Sequence, residues 1–111
     1  MPQVVLVYQP HQNLRQHSKA IQAGYSQCFA QADIIYWLPT FLSREDPNLP
    51  ILEPKDLVKL SQDQSKIQIS QMNQQLATIL QEHKNSGNLV LFMGAGSIDE
   101  WAKEIFDQSK A

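Results

Sequence analysis

Three apolar runs of nearly equal length stop abruptly at a proline or a glycine. They are Val4-Val5-Leu6-Val7-Tyr8, closed by Pro10, Ile34-Ile35-Tyr36-Trp37-Leu38, closed by Pro39, and Leu89-Val90-Leu91-Phe92-Met93, closed by Gly94. Unbroken apolar runs rich in β-branched residues are the pattern of strands covered on both faces. Ile67 and Ile69, flanking Gln68, make a shorter alternating segment that reads as a fourth strand nearer a sheet edge.

Between these runs the apolar period lengthens to that of a helix. Leu14, Ile21, Tyr25 and Cys28 form one stripe of a helix starting near Asn13, and Met72, Leu76, Ile79, Leu80 and His83 form a second. The second has Ser70 placed as an N-cap and Gly87 just past its end. Ile98, Trp101, Ala102, Ile105 and Phe106 make a third stripe. A short helix opening at Pro54, where a missing N–H costs nothing, carries Leu57, Val58 and Leu60 inward. Strand and helix therefore alternate throughout. That order predicts an α/β domain with a mainly parallel sheet of about four strands between helical layers, because each parallel crossover is long and right-handed. In such sheets ligands bind beyond the carboxyl ends of the strands.

Composition narrows the class. At 111 residues, 42% hydrophobic and 18% charged, the whole chain, 1–111, fits a single globular domain with one core. A formal charge of −2 lacks the basic excess that nucleic acid or an anionic membrane rewards, so neither is an expected partner. Cys28 is the single cysteine, which excludes an intrachain disulfide and suits a reducing compartment. The run Val4 to Tyr8 is too short for a secretory leader, and nothing approaches a membrane span; a cytoplasmic location is expected.

Two loops carry candidate chemistry. His11 and Arg15 follow the first strand four residues apart, on one side of a helix beginning near Pro10. A guanidinium and an imidazole at a helix amino terminus suit a carboxylate or phosphate, although such residues are equally at home in solvent. His17 projects elsewhere and reads as surface. The second loop, Gly94-Ala95-Gly96-Ser97, allows close backbone approach before a helix. Ser97 and Glu100 also fit a capping box, which explains the segment without a ligand. Neither G-x-x-x-x-G-K-[ST] nor G-x-G-x-x-G occurs in the chain. Arg44, Glu45 and Asp46 lie in the proline-rich stretch 39–52 and read as solvated charges. The histidines and the cysteine have no zinc-ligand spacing, so no metal site is expected in this chain. Cys28 reads as core, and His83 as a helix-end histidine.

Taken together, Tyr8-Gln9-Pro10-His11 with Arg15 following, and Gly94-Ala95-Gly96-Ser97-Ile98, resemble the carboxyl-terminal domain of the Mur ligases. The likeness is greatest to the branch that joins L-alanine to UDP-N-acetylmuramate during peptidoglycan precursor synthesis. The resemblance implies a three-layer Rossmann-like domain that closes over the amino acid, with the UDP-sugar and ATPase domains absent from this chain. ATP and Mg would serve the full-length enzyme, with no cofactor in the isolated domain, which would be inactive alone. The chemistry implied is formation of an acyl phosphate on the lactyl carboxylate, followed by attack of the alanine amine. On the same basis His11 and Arg15 would meet L-alanine or its carboxylate, and Gly94, Ala95, Gly96 and Ser97 would line the same cleft. Gln12 stands where the family usually carries a second arginine, and residues 38–48 replace its usual loop after the second strand. The related ligase that recycles a tripeptide normally has arginine after the proline, so His11 points to the alanine branch. The alternative readings are a stand-alone Rossmann-like module that binds a small molecule or regulates, and the same domain of the tripeptide-recycling ligase.

Overall fold

The computed structural model describes residues 2–10, 16, 31–42, 47–59, 64–94 and 97–107. Its elements follow the expected alternation: β1 (Val4–Gln9), β2 (Ile34–Trp37), α1 (Pro54–Val58), β3 (Ile67–Ile69), α2 (Gln74–Asn85), β4 (Leu89–Gly94) and α3 (Ser97–Asp107). The four strands form one sheet in the order β3-β2-β1-β4, and every pairing is parallel. The helix expected near Asn13 lies outside the described residues apart from Gln16, which is helical and buried. Cys28, Leu60 and the charged residues Arg44, Glu45 and Asp46 also lie outside them.

Apolar side chains cover both faces of the sheet. On one face Val5, Val7, Tyr36 and Leu38 pack with Leu76, Ala77 and Leu80 of α2 and Ile98 and Ile105 of α3. On the other, Leu6, Ile35 and Trp37 pack with Ala32 and with Leu57 and Val58 of α1. The alternation along β1 divides its residues between these two cores, as the period of a strand requires. The result is the three-layer α/β arrangement anticipated from the alternating pattern. β1 is covered on both sides, as its unbroken apolar run predicts. β4 departs from that prediction: Val90 and Phe92 pack inward, but Leu89, Leu91 and Met93 are exposed. β4 lies at the end of the strand order, so its second face has less of the chain above it.

Local chemistry sets the ends of the elements. α2 is capped by Asn73, whose side-chain oxygen accepts from the Leu76 N–H at 2.9 Å, rather than by Ser70. Ser70 is engaged by the sheet, donating its backbone N–H to Trp37 O at 2.9 Å. The carboxyl end of α2 closes as the sequence indicates: Gly87 takes φ 88°, its N–H bonds Lys84 O, and the Asn88 N–H bonds His83 O, both at 3.0 Å. This is the paired-bond stop that favours a left-handed glycine. α3 includes Ser97 as its first residue, one position earlier than a capping box with Ser97 outside the helix would have it.

His83 is held more specifically than a helix dipole would require. The Gln3 N–H donates to Asn88 Oδ1 at 3.0 Å, which turns the Asn88 amide nitrogen toward His83 Nδ1, 2.9 Å away. With Nδ1 accepting, Nε2 carries the hydrogen and donates to the Tyr36 hydroxyl at 3.3 Å. The chain of bonds ties the starts of β1 and β4 to the last turn of α2.

Candidate functional site

The strand order reverses beside β1. The chain moves from β1 to β2 and β3 on one side, then returns to lay β4 against the other side of β1. A reversal of this kind opens a crevice at the carboxyl ends of the two strands concerned, and parallel α/β sheets bind ligands there. The register of β1 with β4 ends on Gln9 opposite Gly94. The roots of the two candidate loops, 85 residues apart in sequence, are thus neighbours on one rim.

Gly94 is required at that junction. Its φ is 151°, and a Cβ added there would lie 2.7 Å from the Gln9 carbonyl oxygen, 3.2 Å from Gln9 Cβ and 3.3 Å from Ile98 Cγ2. Only the missing side chain lets the end of β4 approach β1 so closely. β2 joins the same rim. Leu38 N–H donates to Tyr8 O and Phe41 N–H to Pro10 O, each at 2.8 Å. The Gln9 amide nitrogen donates to Pro39 O at 3.4 Å. The first turn of α3 opens from this rim with Asp99 and Glu100, acids that complement the partial positive charge of its amino terminus.

Of the sequence-predicted site residues, Gly94 and Ser97 fall within the described residues, at the end of β4 and the start of α3. His11, Arg15, Ala95 and Gly96 lie outside them, as does the side chain of Ser97. Sequence reading missed Gln9 and Thr40 as candidates. Gln9 is a glutamine at a strand end, which reads as a polar stop, yet only 4% of it is exposed. Thr40 sits in the proline-rich stretch and reads as loop surface, although its hydroxyl is enclosed. Among the described residues no three His, Cys, Asp or Glu side chains group as a metal site would need, and no helix is long and apolar enough to cross a membrane.

Comparison with known proteins gives a consistent set of relatives. The chain is 28% identical over 104 residues to UDP-N-acetylmuramate–L-alanine ligase from Rickettsia typhi. Over 102 residues it is 30% identical to the protein of that name from Bartonella bacilliformis. A third, from Caldanaerobacter subterraneus subsp. tengcongensis, is 29% identical over 109 residues. Over nearly its whole length, the chain resembles part of a Mur ligase. The matches cover 92%, 90% and 96% of this chain but 20%, 21% and 23% of those ligases, so it spans about a fifth of the curated relatives it matches. No family model matches the chain.

Proposed function

We propose that this chain is the carboxyl-terminal, amino-acid-binding domain of a Mur ligase that joins L-alanine to UDP-N-acetylmuramate. The observation that carries the reading is the pairing of Gln9 with Gly94. The two segments that bear the likeness to Mur ligases, Tyr8 to Arg15 and Gly94 to Ile98, are far apart in sequence, and the register roots both on one rim. The similarity to named L-alanine ligases along the chain supports the substrate class.

In this reading Arg15 grips the alanine carboxylate through paired N–H groups, His11 borders the same substrate, and the Gly94 to Ser97 turn walls the cleft. The domain orients the amine and supplies electrostatic support, without contributing a nucleophile. ATP, Mg and the UDP-sugar bind elsewhere in the polypeptide, in keeping with a chain that carries no phosphate loop. The product amide forms when the amine displaces phosphate from an activated lactyl carboxyl group. The isolated chain is inactive, and the enzyme works in the cytoplasm on a peptidoglycan precursor.

The test is Arg15→Ala in the intact polypeptide. Loss of a charge-assisted contact to substrate weakens transition-state binding by roughly 2 to 4 kcal/mol, about 30- to 1,000-fold in kcat/KM for L-alanine. Unaltered turnover and KM for alanine would remove Arg15 from the site.

A further inference from the structure

A cleft of about 330 Å³ opens at the carboxyl end of β3, beside the first turns of α2. Its walls include Tyr36, Gln68, Gln71, Gln75, Leu76 and Ile79. That volume is at the small end of the roughly 300 to 1,000 Å³ typical of ligand sites, and the carboxyl rim is where parallel sheets bind ligands. The register explains why the cleft exists. One row across the sheet reads Gln68, Tyr36, Val7 and Phe92. The last three pack into the core beneath α2 and α3, but no residue of β3 joins that core, and Gln68 is left exposed at the foot of α2.

The chemistry of this cleft is unlike that of ordinary surface. Residues 67–81 contain no charged side chain, although Gln68, Gln71, Asn73, Gln74, Gln75 and Thr78 within them are exposed. Exposed positions of strands and helices ordinarily carry lysine, arginine, glutamate or aspartate. Here they carry amides. Those of Gln68, Gln71 and Gln75 come from three segments, β3, the turn after it and α2, and border one cleft. Among the described residues none of the three side chains is hydrogen-bonded to another group of the protein. Beside them Leu76 is buried and Ile79 half-buried, so the polar wall meets an apolar one.

We infer that this cleft binds a small uncharged ligand through a secondary amide, borne on an N-acetylated sugar or a short peptide. A glutamine side chain offers an acceptor oxygen and two N–H donors, so it can donate to the carbonyl of such a ligand and accept from its N–H. Leu76 and Ile79 supply the surface on which a methyl group next to the amide rests. A charged ligand would lose its hydration and find no counter-charge among the residues that line the cleft. The inference is independent of the amino-acid-binding reading, because the cleft shares no residue with the proposed alanine site.

The test is a nuclear magnetic resonance titration of the 15N-labelled 111-residue chain, read at the side-chain amide signals of Gln68, Gln71 and Gln75. N-acetyl-D-glucosamine and N-acetyl-L-alanine methylamide are the two probes, and D-glucose, a sugar ring without the acetamido group, is the control. At least one probe should shift these signals to saturation, with a Kd of about 1 to 10 mM. A response to the sugar alone or to the peptide alone identifies which molecule carries the amide, and a response to both shows that the amide itself is recognised. Glucose should leave the signals in place. Gln68→Glu, at an exposed position, removes the donors and adds a charge; it should weaken binding about fivefold or more while the melting temperature stays within about 2 °C of the parent. The inference is overturned if neither probe gives a saturable shift by about 50 mM, if glucose shifts the same signals as strongly, or if Gln68→Glu binds as well as the parent.

Discussion

Replacing Gly94 by alanine tests the junction on which the site depends. Two costs add at this position. The φ of 151° disfavours any side chain, at about 1 to 2 kcal/mol by the usual left-handed penalty. The new methyl would also lie 2.7 Å from a backbone oxygen of Gln9, a group that cannot swing aside as the tip of a side chain can. Forcing a methyl into such a space costs a further 1 to 3 kcal/mol or so. The total expected is roughly 2 to 5 kcal/mol, a lowering of the melting temperature by about 8 °C or more for a domain of this size. Gly87→Ala calibrates the first term. Gly87 also has positive φ, 88°, but nothing lies within 4 Å of its added Cβ, so that variant should lose about 1 to 2 kcal/mol and no more. Urea denaturation of parent and both variants, with slopes compared to verify a common transition, gives the difference directly. If Gly94→Ala and Gly87→Ala are equally stable within about 0.5 kcal/mol, the close approach of β4 to Gln9 is wrong and the shared rim goes with it.

Other outcomes follow from single contacts. Asn73→Ala should destabilise the fold by about 1 kcal/mol in the same assay, whereas Ser70→Ala, whose backbone bond survives the change, should stay within about 0.5 kcal/mol. Burial raises the Tyr36 phenol above its ordinary value of 10.0. The unfolded chain then releases this proton first, so stability intact below pH 10 is lost as pH climbs toward the folded value. Comparison of Tyr36→Phe with the parent between pH 9 and pH 11, by melting temperature, should show a shallower alkaline decline in the variant. Leu80→Ala, at a fully buried position on α2, should cost about 2 to 5 kcal/mol, measured by urea denaturation.

Much of the fold is legible in the sequence because strands and helices here use different periods. The three apolar runs read as strands from their length, their β-branched and aromatic content and the proline or glycine that closes each, and the stripe at Leu76, Ile79, Leu80 and His83 reads as one face of a helix. The stop at Gly87 is local chemistry and is equally plain. What escaped reading depends on distant partners. Ser70 looks like a cap until β2 claims its N–H. β4 looks like a strand covered on both faces until the strand order places it at the edge, and no pattern within residues 89–94 announces that position. The two loops of the candidate site could be named from their residue types, but their adjacency is a property of the register. Gln9 is the sharpest case: it is buried where its strand meets Gly94 of β4 and Pro39 beyond β2, neither of which can be seen from the strand that carries it.

The position of β1 has a consequence for how the domain comes into being. Its six residues hold two of the three ladders of the sheet, pairing with residues 34–37 on one side and 89–94 on the other. Of the four strands this one leaves the ribosome first, yet its second neighbour emerges only when most of the domain has been made. Val5 and Val7 must therefore wait, apolar and half partnered, through the synthesis of some eighty further residues. Contacts of such long sequence separation are slow to close. Nascent-chain folding should thus be completed late and in one step, with arrest before Leu89 leaving a chain that needs chaperone cover.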